Sequence, residues 1–206
     1  MKENTTIQAA GAAHRRPSRE EAEEAVRTLL AWAGDDPSRP GLINTPMRVA
    51  DAFEERFCGY RMDPASELSR TFEDVSGYND MILLRDVRVE SHCEHHIAPF
   101  VGVAHVAYVP DIHVVGLSKL ARVVDIFARR LQVQESLTAQ IANTIQRELA
   151  PKGVAVMISA AHQCMTLHAV NQPNTIMMTT HFTGVFETSE NWRDRFLQAV
   201  QAPRAG

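Results

Sequence analysis

His92-Cys93-Glu94-His95-His96 and His162-Gln163-Cys164 are the two places where side chains able to bind a metal or move a proton crowd together. Cys93 and His96 are three apart, a chelating separation for a tetrahedral ion, and His162 and Cys164, at i and i+2, would point the same way on a strand. Cys93, His96 and Cys164 together form a Cys₂His set with one open position, the layout of catalytic rather than structural zinc. A buried, hydrogen-bonded cluster holding no ion is the plain alternative, and spacing alone leaves it open. Two other zinc signatures fail. His92-Cys93-Glu94 matches the H-x-E half of the zinc deaminases, but no P-C-x-x-C half exists. The H-E-x-x-H helix of metalloproteases is also missing. Eight of the nine histidines fall between residues 92 and 181, where an even spread would put about four.

Between the two clusters, Gly116-Leu117-Ser118-Lys119-Leu120-Ala121-Arg122 opens a helix. A glycine turn, a serine, free backbone N–H groups and two cations at i and i+3 describe an anion site. A solvated basic helix face fits the same residues. Gln134-Glu135 starts the next helix, and a carboxylate beside a carboxamide can read a purine amide edge, with Gln134 bonding the carbonyl. An acid that simply serves the helix dipole is the alternative there.

The elements that must position these groups follow from periodicity. Ser18 and Glu21 form a capping box for a helix that Gly34 ends, Thr45-Pro46 opens a second, and Asp63-Pro64 a short third. Residues 81–90 and 100–109 read as strands, 118–131 and 135–149 as amphipathic helices, 153–167 and 175–187 as strands, and 191–201 as a last helix. Without alternating βα units, this order predicts an α+β fold, an antiparallel sheet with helices on one face, preceded by an N-terminal helical segment. The expected organisation is a flexible tail over 1–17, a helical segment over 18–75 and a catalytic domain over 76–206. Cys58 and His105 read as packing residues.

Composition bounds the partners. The 206 residues have a formal net charge of −4, 6% aromatics and no Lys/Arg block, so nucleic acid is not an expected partner. No run reaches the roughly 18 uncharged apolar residues of a membrane helix, so no membrane span is expected. Residues 1–17 lack the apolar centre of a secretory signal, and three cysteines, an odd number, argue against a disulfide framework. The expected location is the cytoplasm.

Taken together, NTPMRVADAFEERFCGY (44–60), SHCEHHIAPFVGVAHVAYVP (91–110), VVGLSKLARVVDIFARRLQVQESLT (114–138), GVAVMISAAHQCM (153–165) and TGVFETSENWRDRFLQAV (183–200) resemble the GTP cyclohydrolase I family. The resemblance implies Zn²⁺ on Cys93, His96 and Cys164, with His95, His162 and Ser118 catalytic. It implies guanine on Gln134 and Glu135, and the ribose and triphosphate on Ser118, Lys119 and Arg122. The implied fold is a tunnelling fold, assembled as a homodecamer with active sites at subunit interfaces. The implied reaction converts GTP and water to 7,8-dihydroneopterin triphosphate and formate, the first step of tetrahydrofolate and pterin biosynthesis.

The chain departs from the family at the phosphate end. Where an arginine usually follows the H-x-C pair to hold the triphosphate, His168 stands in Met165-Thr166-Leu167-His168-Ala169. A histidine mostly neutral at pH 7 replaces a permanently charged bidentate fork. Ala161 stands where Glu is common and His181 where Ser or Thr is usual. Two further readings stay open beside the cyclohydrolase: a paralogue with altered phosphate recognition, His168 included, and an inactive zinc-stabilised binding or regulatory protein.

Overall fold

The computed structural model describes residues 15–72, 77–166 and 174–203. Contacts divide the chain into two compact units, Met1–Glu55 and Arg56–Gly206. In the first, α1 (Arg19–Trp32) begins with the expected box: the Ser18 hydroxyl accepts from the Glu21 N–H, and the Glu21 carboxylate accepts from the Ser18 N–H. Gly34, at φ 95°, follows the helix with backbone only glycine adopts freely. Most of α2 (Thr45–Arg56) lies in the same unit, where Arg19 reaches Asp51 at 2.6 Å.

The second unit starts with a 3-10 turn (Cys58–Arg61) and α3 (Pro64–Leu68), capped by Asp63. Both pack on the helices of the sheet domain, which is why compactness changes before the shift from helix to strand. Then come β1 (Thr71–Phe72), β2 (Ile82–Cys93), β3 (Pro99–Val109), β4 (Val114–Val115), α4 (Leu117–Ala128), β5 (Leu131–Gln132), α5 (Gln134–Leu149), β6 (Gly153–His162), α6 (Gln163–Thr166), β7 (Met177–Phe182), α7 (Val185–Thr188) and α8 (Glu190–Gln201). The main sheet has the order β5-β2-β3-β6-β7; β1 and β4 form a separate antiparallel pair. Neighbours in the main sheet are antiparallel except β5, which runs parallel to β2.

The helix stripes explain the layering. Leu120, Val123, Val124 and Phe127 of α4 and Leu137, Ile141, Ile145 and Leu149 of α5 are buried against Val89, Phe100, Val106, Val156 and Ile158 of the sheet. Each such side chain contributes about 1.5–3 kcal/mol of burial. The fold is α+β, but the expectation of helices on one face only needs correcting. Ala107, Val109, Ala155 and Met157 form an apolar strip on the opposite face, and Phe186, Phe196 and Val200 from α7 and α8 cover it. Strands buried on both sides carry runs of apolar residues, so alternation does not reveal which face is covered.

Two strand ends also differ from expectation. The strand read as 153–167 stops at His162 and turns into α6; the one read as 175–187 stops at Phe182 before Gly184, at φ 55°, and α7. His105 is buried, as expected of a packing residue, and its Nδ1 accepts from the Asp86 N–H at a bulge of β2. Cys58 is half-buried at the start of the 3-10 turn. Among the described residues no helix is long and apolar enough to cross a membrane.

Candidate metal and catalytic centre

Cys93 is the last residue of β2, and the chain turns tightly behind it. Its N–H donates to the Ala98 carbonyl, its own carbonyl accepts from the Ile97 N–H at 2.8 Å, and the Glu94 N–H donates to the Gln132 carbonyl at 3.1 Å. Ile97 closes this turn at φ 55°, a left-handed conformation that a β-branched residue adopts at a cost of order 1–3 kcal/mol. The turn presents His95 and His96 to solvent.

Cys93, His96 and Cys164 converge, one ligand atom from each lying within 4.8 Å of the others. The route to this convergence is not the strand spacing read from the sequence. His162 ends β6 and Cys164 lies in the helical turn α6, so the two side chains serve different neighbours. Burial, then the adjacent Cys93 sulfur, pushes the Cys164 thiol above its ordinary value. Two thiols and an imidazole held this close are a donor set that a tetrahedral, borderline-soft cation such as zinc satisfies.

His162 is held by neighbours of its own. Its ring stacks on Phe100, its register partner on β3, with centroids 4.4 Å apart and planes 7° apart. Its Nε2 lies 2.8 Å from Oε1 of Gln134. Burial lowers its pKa, while Glu135 acts in the opposite sense. Gln134 opens α5 and is only 1% exposed. Its amide nitrogen lies within reach of three acceptors: the carbonyls of Ile158 and Met177 and the Thr179 hydroxyl. The carboxamide is thus engaged inside the protein, whereas the neighbouring Glu135 is exposed.

Ser118 and Arg122 are exposed on α4, and Lys119 beside them donates to Glu67 of α3 at 2.7 Å. Lys119, followed by Arg122 and Arg70, holds the Glu67 carboxyl below its ordinary range. His95 is exposed, with Nε2 at 3.9 Å from Glu94. His181 on β7 lies 3.3 Å from Asn143 of α5, and His168 falls outside the described residues. Sequence reasoning missed Phe100, Thr179 and Glu67. Each looks like an ordinary strand or helix residue until pairing and packing bring it to a functional group.

The family model for GTP cyclohydrolase I matches residues 22–201. This chain belongs to the GTP cyclohydrolase I family. It is similar to "GTP cyclohydrolase 1" of Hyphomonas neptunium, 61% identical over 183 residues that cover 89% of each chain. It is also similar to the proteins of that name from Maricaulis maris, 56% identical over 93% of this chain and 94% of the relative, and Brucella suis, 55% identical over 91% and 88%. Among solved structures, an archaeosine synthase QueF-Like in the apo form overlaps 50% of this chain and 93% of its own at a TM-score of 0.38 and 15% identity, too slight a likeness to argue from.

Proposed function

We propose that this family member hydrolyses the imidazole ring of GTP, yielding 7,8-dihydroneopterin triphosphate and formate. The observation that carries the reading is the Cys93–His96–Cys164 donor set, with His162 two residues before Cys164 and hydrogen-bonded to the start of α5. Zinc on those three residues supplies a Lewis acid that makes water nucleophilic toward purine C8 near neutral pH.

The chain's own groups do the rest. Glu135, exposed at the first turn of α5, accepts from the guanine N1–H and amino group. Gln134, whose N–H groups already have protein acceptors, marks the base end from behind. His162 accepts a proton from the attacking water and passes it to N7 as the C8–N bond breaks. His95 and Ser118 assist the later proton transfers, in which a second water releases formate, the ribose rearranges and ring closure expels one water. Net, one water is consumed. Ser118, Lys119 and Arg122 meet the ribose and triphosphate, with His168 at the phosphate end.

The reading extends to a tunnelling fold assembled as a cytoplasmic homodecamer with active sites at subunit interfaces. Its supports are the family membership, the edge position of β7 in the sheet and the exposed Met178, Leu29 and Trp32. A second reading, a preference for fewer phosphates, is favoured by one observation: Lys119 is already paired with Glu67 while His168 stands in place of an arginine.

Formate release and pterin fluorescence with GTP, GMP and guanosine, with and without chelator, test these readings together. GTP turned over best, and only without chelator, is the expected result. Preference for GMP or guanosine selects the second reading, and no formate from any of the three overturns both in favour of a binding protein.

A further inference from the structure

His162 ends a set of hydrogen bonds that decides which ring nitrogen carries the hydrogen. The Thr138 hydroxyl lies 2.7 Å from the backbone carbonyl of Gln134, which only accepts, so Thr138 donates there. Thr138 and Thr179 hydroxyl oxygens are 2.6 Å apart, and with Thr138's hydrogen already used, Thr179 is the donor between them. Thr179 lies 3.1 Å from the amide nitrogen of Gln134 and shares its two hydrogens with the carbonyls of Ile158 and Met177. The opposite orientation of the Gln134 carboxamide would place its oxygen against the carbonyl oxygens of Ile158 and Met177, at the 3.0 and 3.1 Å now spanned by N–H donors. Oε1 therefore faces His162, and Nε2 of the imidazole must carry the hydrogen between them.

We infer that Gln134, its amide oriented by the carbonyls of Ile158 and Met177, is a positioning element that holds His162 as the Nε2–H tautomer and leaves Nδ1 as the ring nitrogen available to substrate. The arrangement resembles in logic any buried acceptor that selects a histidine tautomer, here a neutral amide in place of a carboxylate. Stacking on Phe100 fixes the ring plane, and the amide fixes its rotation within that plane. The buried setting of Gln134 makes the selection stringent, because an unmatched donor or acceptor there has no water to fall back on.

The catalytic meaning of the selected tautomer rests on the cyclohydrolase reading, whereas the tautomer itself does not. The test is ¹⁵N solid-state NMR of the sedimented, zinc-loaded full-length protein labelled with [¹⁵N]histidine, His162 being assigned by its loss in His162→Asn. A protonated Nε2 and a bare Nδ1 are expected. An Nδ1–H signal at His162 overturns the inference whether or not the protein turns over GTP. Gln134→Met, which removes the acceptor facing Nε2, should mix the two tautomers and lower kcat roughly ten- to a hundredfold with zinc content unchanged. A Gln134→Met protein with wild-type tautomer and kcat also overturns it. Should that variant misfold, the wild-type spectrum decides the tautomer by itself.

Discussion

At Cys164 the chemistry of the site is decided by proximity. Its sulfur shares a space within 4.8 Å with the ligand atoms of Cys93 and His96, and burial together with the Cys93 sulfur disfavours its thiolate when no cation offsets the charge. A dication reverses that preference, so metal affinity and thiol ionisation are linked. Cys164→Ala should strip zinc from the purified protein, read by metal analysis. Formate release should fall by more than the roughly 10–100-fold typical of an outer-shell change. Full zinc retention would sink the assignment of the third ligand. The residue types at this site were legible in the sequence, because Cys-x-x-His spacing is short and local. The partnership of His162 with Gln134 was not, since it depends on which side of β6 the ring leaves and on the helix start that happens to lie there.

The ion pair between α3 and α4 belongs to the scale of elements. Glu67 lies in a five-residue helix that buries Leu68, and its carboxylate holds Lys119 at the first turn of α4. The Glu67 carboxyl is held below its usual 4.5, chiefly by the hydrogen bond from Lys119. The folded state therefore binds this proton less readily than the unfolded chain, and the pair's stabilisation is present above the unfolded value and lost as pH falls through the folded one. Glu67→Gln should accordingly unfold at lower urea than the parent at about pH 7, with the gap closing as the pH is taken below 4.5. A gap that persisted in acid would mean the pair's charge is not what joins the two helices. Helix starts were readable because caps are local: Ser18 with Glu21 and Asp63 with Pro64 appear as expected. Strand ends after His162 and Phe182 were not, since a four-residue helical turn has no period of its own to read.

On the scale of the whole molecule, the sheet domain is held from both sides, and the smaller apolar cluster is the one the sequence concealed. Phe196 is 0% exposed there, in edge contact with Phe182 and Phe186. Phe196→Ala should cost about 3–5 kcal/mol in urea unfolding, the range for removing a buried aromatic ring. A loss under about 1 kcal/mol would mean that α8 contributes little to the fold. The sequence by itself determined the family, the residue types proposed to hold metal and base, and most helix boundaries, because each is carried by side-chain identity at short spacing. Only the tertiary structure decided that helices cover both sheet faces, that Lys119 is held by Glu67, and that Gln134 turns inward to His162. Those outcomes depend on strand register and on the direction each side chain leaves the backbone, which chain neighbours alone do not specify.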